Sequence, residues 1–331
     1  MKRTHLSAAL AATALLALTA CSSGADTSSG GGTTSAADLK GKTLSFVPGV
    51  AGDSFYISMQ CGVQQEAAKY GLKVNAQAPQ QFDPSQQTPI VNAVVASKPA
   101  AMLIAPTDSQ ALVPPLLQAK QAGIPIGLVD TTLDDASLAV TSVSTDNTAG
   151  GAAAADALAK LIGDSGSVMV ISFKAGASTS EARTKGFESQ IKKHSGIDYI
   201  GAQINDNDPA KAASIVSATL AAHPDLKGIF ATNQFAAEGA ATGLRNADAA
   251  GRVQVVGFDA GPVQVESLES GTVQALIAQS PQDIGVQAVD NVVHSMTGGK
   301  VTKQVDTGVV TVTKDNLQEP DVQKAIYKTK C

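Results

Sequence analysis

Val168-Met169-Val170-Ile171 is apolar at four successive positions, with none of the alternation that marks a strand half exposed to water. A strand covered by helices on both faces, as in a parallel sheet, needs this pattern. Ala101 to Ile104 and Ile126 to Val129 repeat it closer to the N-terminus, and Thr43 to Val47 and Leu72 to Ala76 precede them as further strands. Between these runs, helices are predicted from about Phe55 to Tyr70, near Gln86 to Ser97 and near Gln110 to Gln121. After Ser142-Val143-Ser144-Thr145-Asp146-Asn147 the alternation restarts with a helix to about Leu161. Strands near Ser167 to Ser172, Tyr199 to Ile204, Gly228 to Ala231, Val253 to Phe258 and Val273 to Ala278 then alternate with helices near Glu181 to His194, Pro209 to Ala222 and after Asn233. Two successive runs of β-α alternation predict an α/β protein of two doubly wound parallel-sheet lobes. The folded part, about 290 residues, is long enough for two lobes.

In front of this body stands a different kind of sequence. Lys2 and Arg3 precede a short apolar run that ends in Leu18-Thr19-Ala20-Cys21. The run is too short to span a bilayer and has the charge, apolar and small-residue order of an export signal. Leu-Thr-Ala-Cys resembles the lipobox of bacterial lipoproteins, which makes Cys21 the expected lipidation site and residues 1–21 the signal. Cleavage by ordinary signal peptidase, leaving Cys21 idle, is the alternative. Residues 22–40, mostly Ser, Gly, Thr and Ala at first, read as a flexible tether to the outer face of the cell membrane. In an oxidising compartment, Cys61 and Cys331 either form a disulfide or remain two free thiols.

Charged residues make up 16% of the chain and the net charge is −5, with no basic run interleaved with aromatics, which excludes nucleic acid as the expected partner. His5, His194, His223 and His294 are scattered without metal-ligand spacing, and no phosphate-cradling loop or nucleophile elbow occurs. No metal and no cofactor are expected.

In open α/β sheets, ligands bind beyond the carboxyl ends of the strands. The residues at those exits are Asp53, Phe55 and Tyr56, then Asp130, Asn207, Asn233, Asp259 and Gln279, with Arg183 in the Ser178 to Gly186 segment. Asp, Asn, Arg and Gln are planar groups that can meet two neighbouring hydroxyls, and aromatic rings offer faces to C–H groups. The set suits a small polyhydroxylated molecule. Any one of these residues could instead be a helix cap or a solvated side chain.

At these positions the chain resembles the periplasmic sugar-binding proteins of ABC importers, in their ribose-binding branch. That family's Asn-Pro-Phe-Phe corresponds to Asp53-Ser54-Phe55-Tyr56. Its Ile-Pro-Val-Ile-Thr-Leu-Asp-Arg is similar to Ile124-Pro125-Ile126-Gly127-Leu128-Val129-Asp130-Thr131, and its Ala-Arg-Glu-Arg-Gly to Ala182-Arg183-Thr184-Lys185-Gly186. Its Ala-Gln-Asn-Asp resembles Ala231-Thr232-Asn233-Gln234, its Val-Val-Gly-Phe-Asp matches Val255-Val256-Gly257-Phe258-Asp259, and Ile277-Ala278-Gln279-Ser280-Pro281 looks like its hinge glutamine segment.

The resemblance implies a type I periplasmic binding protein. Its N-lobe would be residues 41–145 plus 279–307 and its C-lobe 146–278 plus 308–313, with residues 314–331 as an extension whose Pro320 opens a short helix. Hinge crossings are expected near Ser144 to Asn147, near Gln279 and near Asp306 to Gly308. Three departures fall in the pocket: Asp53 stands for Asn, Thr131 for Arg, and Asn207 for a stacking Phe or Trp. They argue against simple ribose and favour a donor-rich ligand, whether a polyol, another monosaccharide or a cationic compound. The expected role is an extracytoplasmic monomer that closes on its ligand and hands it to ABC permease subunits. A sensor component feeding a receptor is one alternative. A glycoside hydrolase using Asp130 and Asp259 is another.

Overall fold

The computed structural model of the chain describes residues 36–331. The expected export signal, Cys21 and most of the expected tether lie outside the described residues. The folded body begins earlier than residue 41. Ala36–Leu39 forms a single 3-10 turn, and Leu39 is buried at 1% exposure because its side chain joins the first lobe's core.

Two six-stranded sheets form the two lobes. The first contains β1 (Thr43–Val47), β2 (Lys73–Ala76), β3 (Ala101–Ile104), β4 (Ile126–Val129), β5 (Thr141–Thr145) and β11 (Gln304–Thr307), in the order β11-β5-β4-β3-β1-β2 and parallel throughout. The second contains β6 (Gly166–Ser172), β7 (Ile197–Ile204), β8 (Leu226–Ala231), β9 (Gln254–Phe258), β10 (Ala275–Ala278) and β12 (Val310–Thr313), in the order β12-β10-β9-β8-β6-β7. Here β12 is antiparallel to β10, a departure from the all-parallel expectation. The cause is connectivity. A chain leaving β11 at the carboxyl edge of the first sheet enters the second sheet at its carboxyl edge, and so runs against its new neighbours.

The helices that cover these sheets are α1 (Ser54–Lys69), α2 (Pro84–Ser97), α3 (Val113–Gln121), α4 (Asn147–Ile162), α5 (Ser178–Ile191), α6 (Pro209–Ala222), α7 (Gln234–Asn246), α8 (Pro262–Glu269), α9 (Pro281–Thr297) and the short α10 (Pro320–Lys324). Three helix boundaries shift by three residues from the sequence reading. α3 starts three residues later than Gln110, because the Asp108 carboxylate accepts from the Gln110 and Ala111 N–H groups and holds a turn there. α5 starts and ends three residues earlier than expected. Helices α8 and α9 lie in a region for which no helix was predicted.

Local chemistry fixes the elements that carry the cleft. Asp53, Asp208 and Asn233 cap α1, α6 and α7 with side-chain oxygens that accept from N–H groups of the first turns. Gly151 and Gly186 let α4 and α5 cross with their backbones in contact; a Cβ at either position would collide with the main chain of the other helix. That close crossing places Arg183 of α5 beside Asn147 at the start of α4.

Three crossings join the lobes: β5 to α4, β10 to α9, and β11 to β12. They are bonded to one another. The Thr145 hydroxyl donates to Gln279 Oε1 at 2.6 Å, and the Asp146 N–H donates to the Thr307 carbonyl at 2.9 Å.

Candidate functional site

The carboxyl ends of both sheets face a single cleft. Asp130, Asn207 and Asp259 have φ of +60°, +60° and +80°. This is a region that Asp and Asn enter at lower cost than other non-glycine residues, and it turns each strand exit sharply. Asp53, Phe55, Tyr56, Asp130, Arg183, Asn207, Asn233 and Gln279 all line one cavity between the lobes. The other two expected residues are placed differently. Thr131 is buried just beyond Asp130, off the cavity wall, with a hydroxyl that bonds to nothing in the structure. Asp259 lies behind the wall. Its carboxylate accepts from the Gln234 N–H (3.1 Å), Gln279 Nε2 (2.6 Å) and the Tyr327 hydroxyl (3.0 Å). A hydrolytic pair of Asp130 and Asp259 would require both carboxylates on the wall, and only Asp130 is there.

Two aromatic rings complete the cavity, Phe82 from the loop after β2 and Phe173 at the exit of β6. They meet edge to face across the cleft with centroids 5.5 Å apart. The stacking surface that Asn207 fails to provide is therefore supplied elsewhere. The rule that singled out the other strand exits would have found Phe173, because it directly follows Ser172 of β6. Phe82 sits in a loop with no pattern to mark it.

Arg183 is the cation of the site and is 3% exposed. Its Nε donates to Asn147 Oδ1 and its Nη1 to the Thr232 carbonyl, each at 2.8 Å, while the guanidinium lies 3.8 Å from the centre of the Phe258 ring. One face of the guanidinium is thus packed, and the remaining N–H groups are left to the cavity. Two acids oppose it. Burial, reinforced by the nearby Asp259 charge, pushes Asp53 from 3.8 up to about 7. Burial also raises Asp130 to about 6, less than it otherwise would because Arg183 and the Tyr56 hydroxyl favour the charged form. Tyr56 donates to Asp130 Oδ2 at 2.7 Å, and its own ionisation is pushed well up by burial and by that carboxylate.

The lobes touch across the cleft. Ser54 donates to Gln234 Oε1 at 2.6 Å, the Thr132 N–H to Ser178 Oγ at 2.9 Å, and the Ser109 N–H to the Gly176 carbonyl at 3.0 Å. Several wall groups pair with each other, as Asn233 Nδ2 does with Asn207 Oδ1 at 2.6 Å. The space left is about 30 Å³, roughly one water's share of liquid volume. A molecule of sugar size reaches this wall only when the lobes part.

Among the described residues, no group of three or more His, Cys, Asp and Glu side chains is arranged to hold a metal ion, and no helix is long and apolar enough to cross a membrane. A disulfide joins Cys61 of α1 to Cys331, with Cα atoms 5.3 Å apart.

Two α/β lobes, three bonded crossings and a buried polar wall shared by both lobes define a protein that holds a small molecule by closing on it. The chain belongs to the periplasmic binding protein family, whose domain matches residues 44–300. The ribose import binding protein of Escherichia coli is 30% identical over 282 residues, covering 85% of this chain and 94% of that protein. An ABC transporter solute-binding protein from Agrobacterium vitis, solved with bound α-D-tagatopyranose, superposes with a TM-score of 0.85 at 39% identity, covering 87% of this chain and 99% of that one. A second A. vitis solute-binding protein, with bound D-fucose, gives a TM-score of 0.82 at 31% identity, covering 86% and 100%.

Proposed function

We propose that this chain is an extracytoplasmic solute-binding lipoprotein that captures a monosaccharide or sugar alcohol between its lobes and delivers it to the permease of an ABC importer. One observation carries the reading: polar and aromatic residues of both lobes, the eight expected ones together with Phe82 and Phe173, converge on one cavity, with the lobes hydrogen-bonded across it. Asp53 and Asp130 are acceptors for sugar hydroxyls when ionised, Arg183 is a donor fork, and Asn207, Asn233 and Gln279 can both donate and accept. Phe55, Phe82 and Phe173 offer faces to the apolar side of a pyranose ring. Asp259 supports the wall from behind, and Thr131 makes no contact with ligand.

A hexose in pyranose form is favoured over ribose on this reading, because Asp53, Thr131 and Asn207 depart from the ribose-binding pattern, and solved relatives with bound D-tagatose and D-fucose support that choice. Ligand that binds only the folded protein stabilises it by RT ln(1 + L/Kd), with L the free ligand concentration, about 2.7 kcal/mol at one hundred times Kd. A thermal-shift panel of D-tagatose, D-fucose, D-allose, D-ribose, myo-inositol and amino acids is therefore expected to give a clear rise with a hexose. A flat response to every sugar and polyol would overturn the reading.

Within the same proposal, residues 1–21 are an export signal and Cys21 carries the lipid. Radiolabelled palmitate should label the wild type and leave Cys21→Ala unlabelled. The protein acts as a monomer, which light scattering on the soluble body would test.

A further inference from the structure

The segment after β12 does more than trail from the second lobe. It passes through α10 and brings Tyr327 between the lobes, where the ring is 4% exposed. The hydroxyl donates to Asp259 Oδ1 at 3.0 Å and accepts from the Gln279 N–H at 3.1 Å. Gln279 Nε2 donates to the same Asp259 oxygen at 2.6 Å, so the three residues close a small ring of hydrogen bonds. Both partners need such support. Asp259 is held at φ +80°, a conformation that costs free energy unless its surroundings over-determine it, and Gln279 is at once a cavity residue and a lobe crossing. The Tyr327 ring also packs against Phe55, a second cavity residue, with centroids 5.7 Å apart, and its N–H donates to the Ala260 carbonyl at 3.1 Å.

The segment has little to hold it by itself. α10 spans five residues, far below the length at which a helix persists unaided. Beyond Tyr327 it is fastened to the first lobe instead. The Lys328 N–H donates to Ser58 Oγ at 2.7 Å, Lys328 Nζ to Gln282 Oε1 at 3.0 Å, and Cys331 is bonded to Cys61 of α1. We propose that Tyr327 is a positioning residue of the binding site, orienting Asp259 and Gln279, and that the Cys61–Cys331 disulfide acts through it by keeping the segment seated. This rests on the cleft being the ligand site, and it predicts a dependence of affinity on a residue with no place on the cavity wall.

The test uses the mature protein as wild type, Tyr327→Phe, Cys61→Ala/Cys331→Ala, and all three changes combined. Two readouts separate this idea from the sugar reading. Without ligand, hydrogen exchange is followed at the Gln279 and Tyr327 amides; loss of the disulfide should speed both by about tenfold or more, as segment opening becomes frequent. With D-tagatose, D-fucose and D-allose as titrants, Tyr327→Phe keeps the ring and should weaken binding by about tenfold, while the Tm of the free protein falls only by the few degrees that an unpaired Gln279 N–H accounts for. The disulfide-free protein should lose as much affinity, and the combined variant no more than that.

Unchanged affinity in both Tyr327→Phe and the disulfide-free variant would overturn the proposal. Losses that simply add in the combined variant would also overturn it, because the disulfide would then be acting by another route. If the wild type binds none of these sugars, the ligand reading fails on its own, and exchange alone decides. Faster exchange at both amides then supports the positioning role, and unaltered exchange refutes it.

Discussion

Asp53→Asn should stabilise the ligand-free protein at pH 8 more than twice as much as at pH 5, because the cost of the buried charge grows as pH rises from about 4 to 7. The substitution keeps shape and capping, since Asn serves as well as Asp at a helix N-cap, and the bond accepted from the Phe55 N–H at 2.9 Å is retained. What it removes is a buried charge. Asp53 is 7% exposed and its ionisation is raised from 3.8 to about 7 by burial first and the Asp259 charge second. A carboxyl whose folded value lies above its unfolded value binds more protons folded than unfolded between those two pH values. Its contribution is therefore fully present below about pH 4 and is lost as pH rises through 7. Three pH units correspond to about 4 kcal/mol at most. Parting of the lobes would rehydrate the carboxylate and relieve part of this, leaving about 2 kcal/mol, or a Tm gain of about 4 °C at pH 8 for a chain of this size. Calorimetry of both proteins at pH 5 and pH 8 is the assay. An equal shift at the two pH values, or a loss of stability at pH 8, would refute the argument that the charge is what costs.

Arg183→Ala should abolish sugar binding and cost about 3 kcal/mol of stability, because the Asn147 and Thr232 acceptors are left buried without donors; titration calorimetry and denaturant unfolding read the two effects. Asp130→Asn should weaken binding by at least tenfold while remaining folded, since the Tyr56 hydroxyl keeps an acceptor at 2.7 Å, and a wild-type Kd in that variant would remove Asp130 from the wall. Gly186→Ala should destabilise the second lobe by more than 2 kcal/mol, because the added Cβ meets the Thr148 main chain and not a side chain that can move. Urea unfolding checks it.

The strand exits were legible because they follow one geometric rule. An apolar strand followed by Asp, Asn or Gln marks the mouth of a parallel sheet, and eight residues chosen that way, or by resemblance, share a cavity. Thr131 was not separable from Asp130 in sequence, yet the sharp turn at Asp130 sends the next side chain away from the cleft. The helical spacing of Ile284, Ala288, Val289, Val292 and Val293 was present and sufficient to find α9. β11 was harder: Gln304–Thr307 is four residues with one apolar side chain, half-buried Val305, whose strand state depends on pairing with β5, which no local pattern announces. Tyr327 was out of reach altogether, because it meets a carboxylate 68 positions away through a segment fastened by a disulfide of sequence separation 270.

The wall of the cleft also sets what a sugar can gain there. Tyr56 is bonded to Asp130, Asn233 to Asn207, and Gln279 to Asp259, so a hydroxyl arriving at the wall exchanges existing bonds as well as adding new ones. Each exchanged contact is worth the net value of a hydrogen bond, about 0.5–1.5 kcal/mol, far below its gross strength. On the proposed reading, affinity depends on several contacts together with burial of the ring face on Phe82 and Phe173. Discrimination works differently. An epimer whose hydroxyl points away separates a wall pair without replacing it, which leaves a buried group unbonded at about 1–3 kcal/mol, or roughly five- to 150-fold in Kd. A wall of mutually paired groups is therefore a modest binder per contact and a strong judge of stereochemistry, so substitutions that break a wall pair should narrow the difference between epimers more than they weaken binding of the preferred sugar.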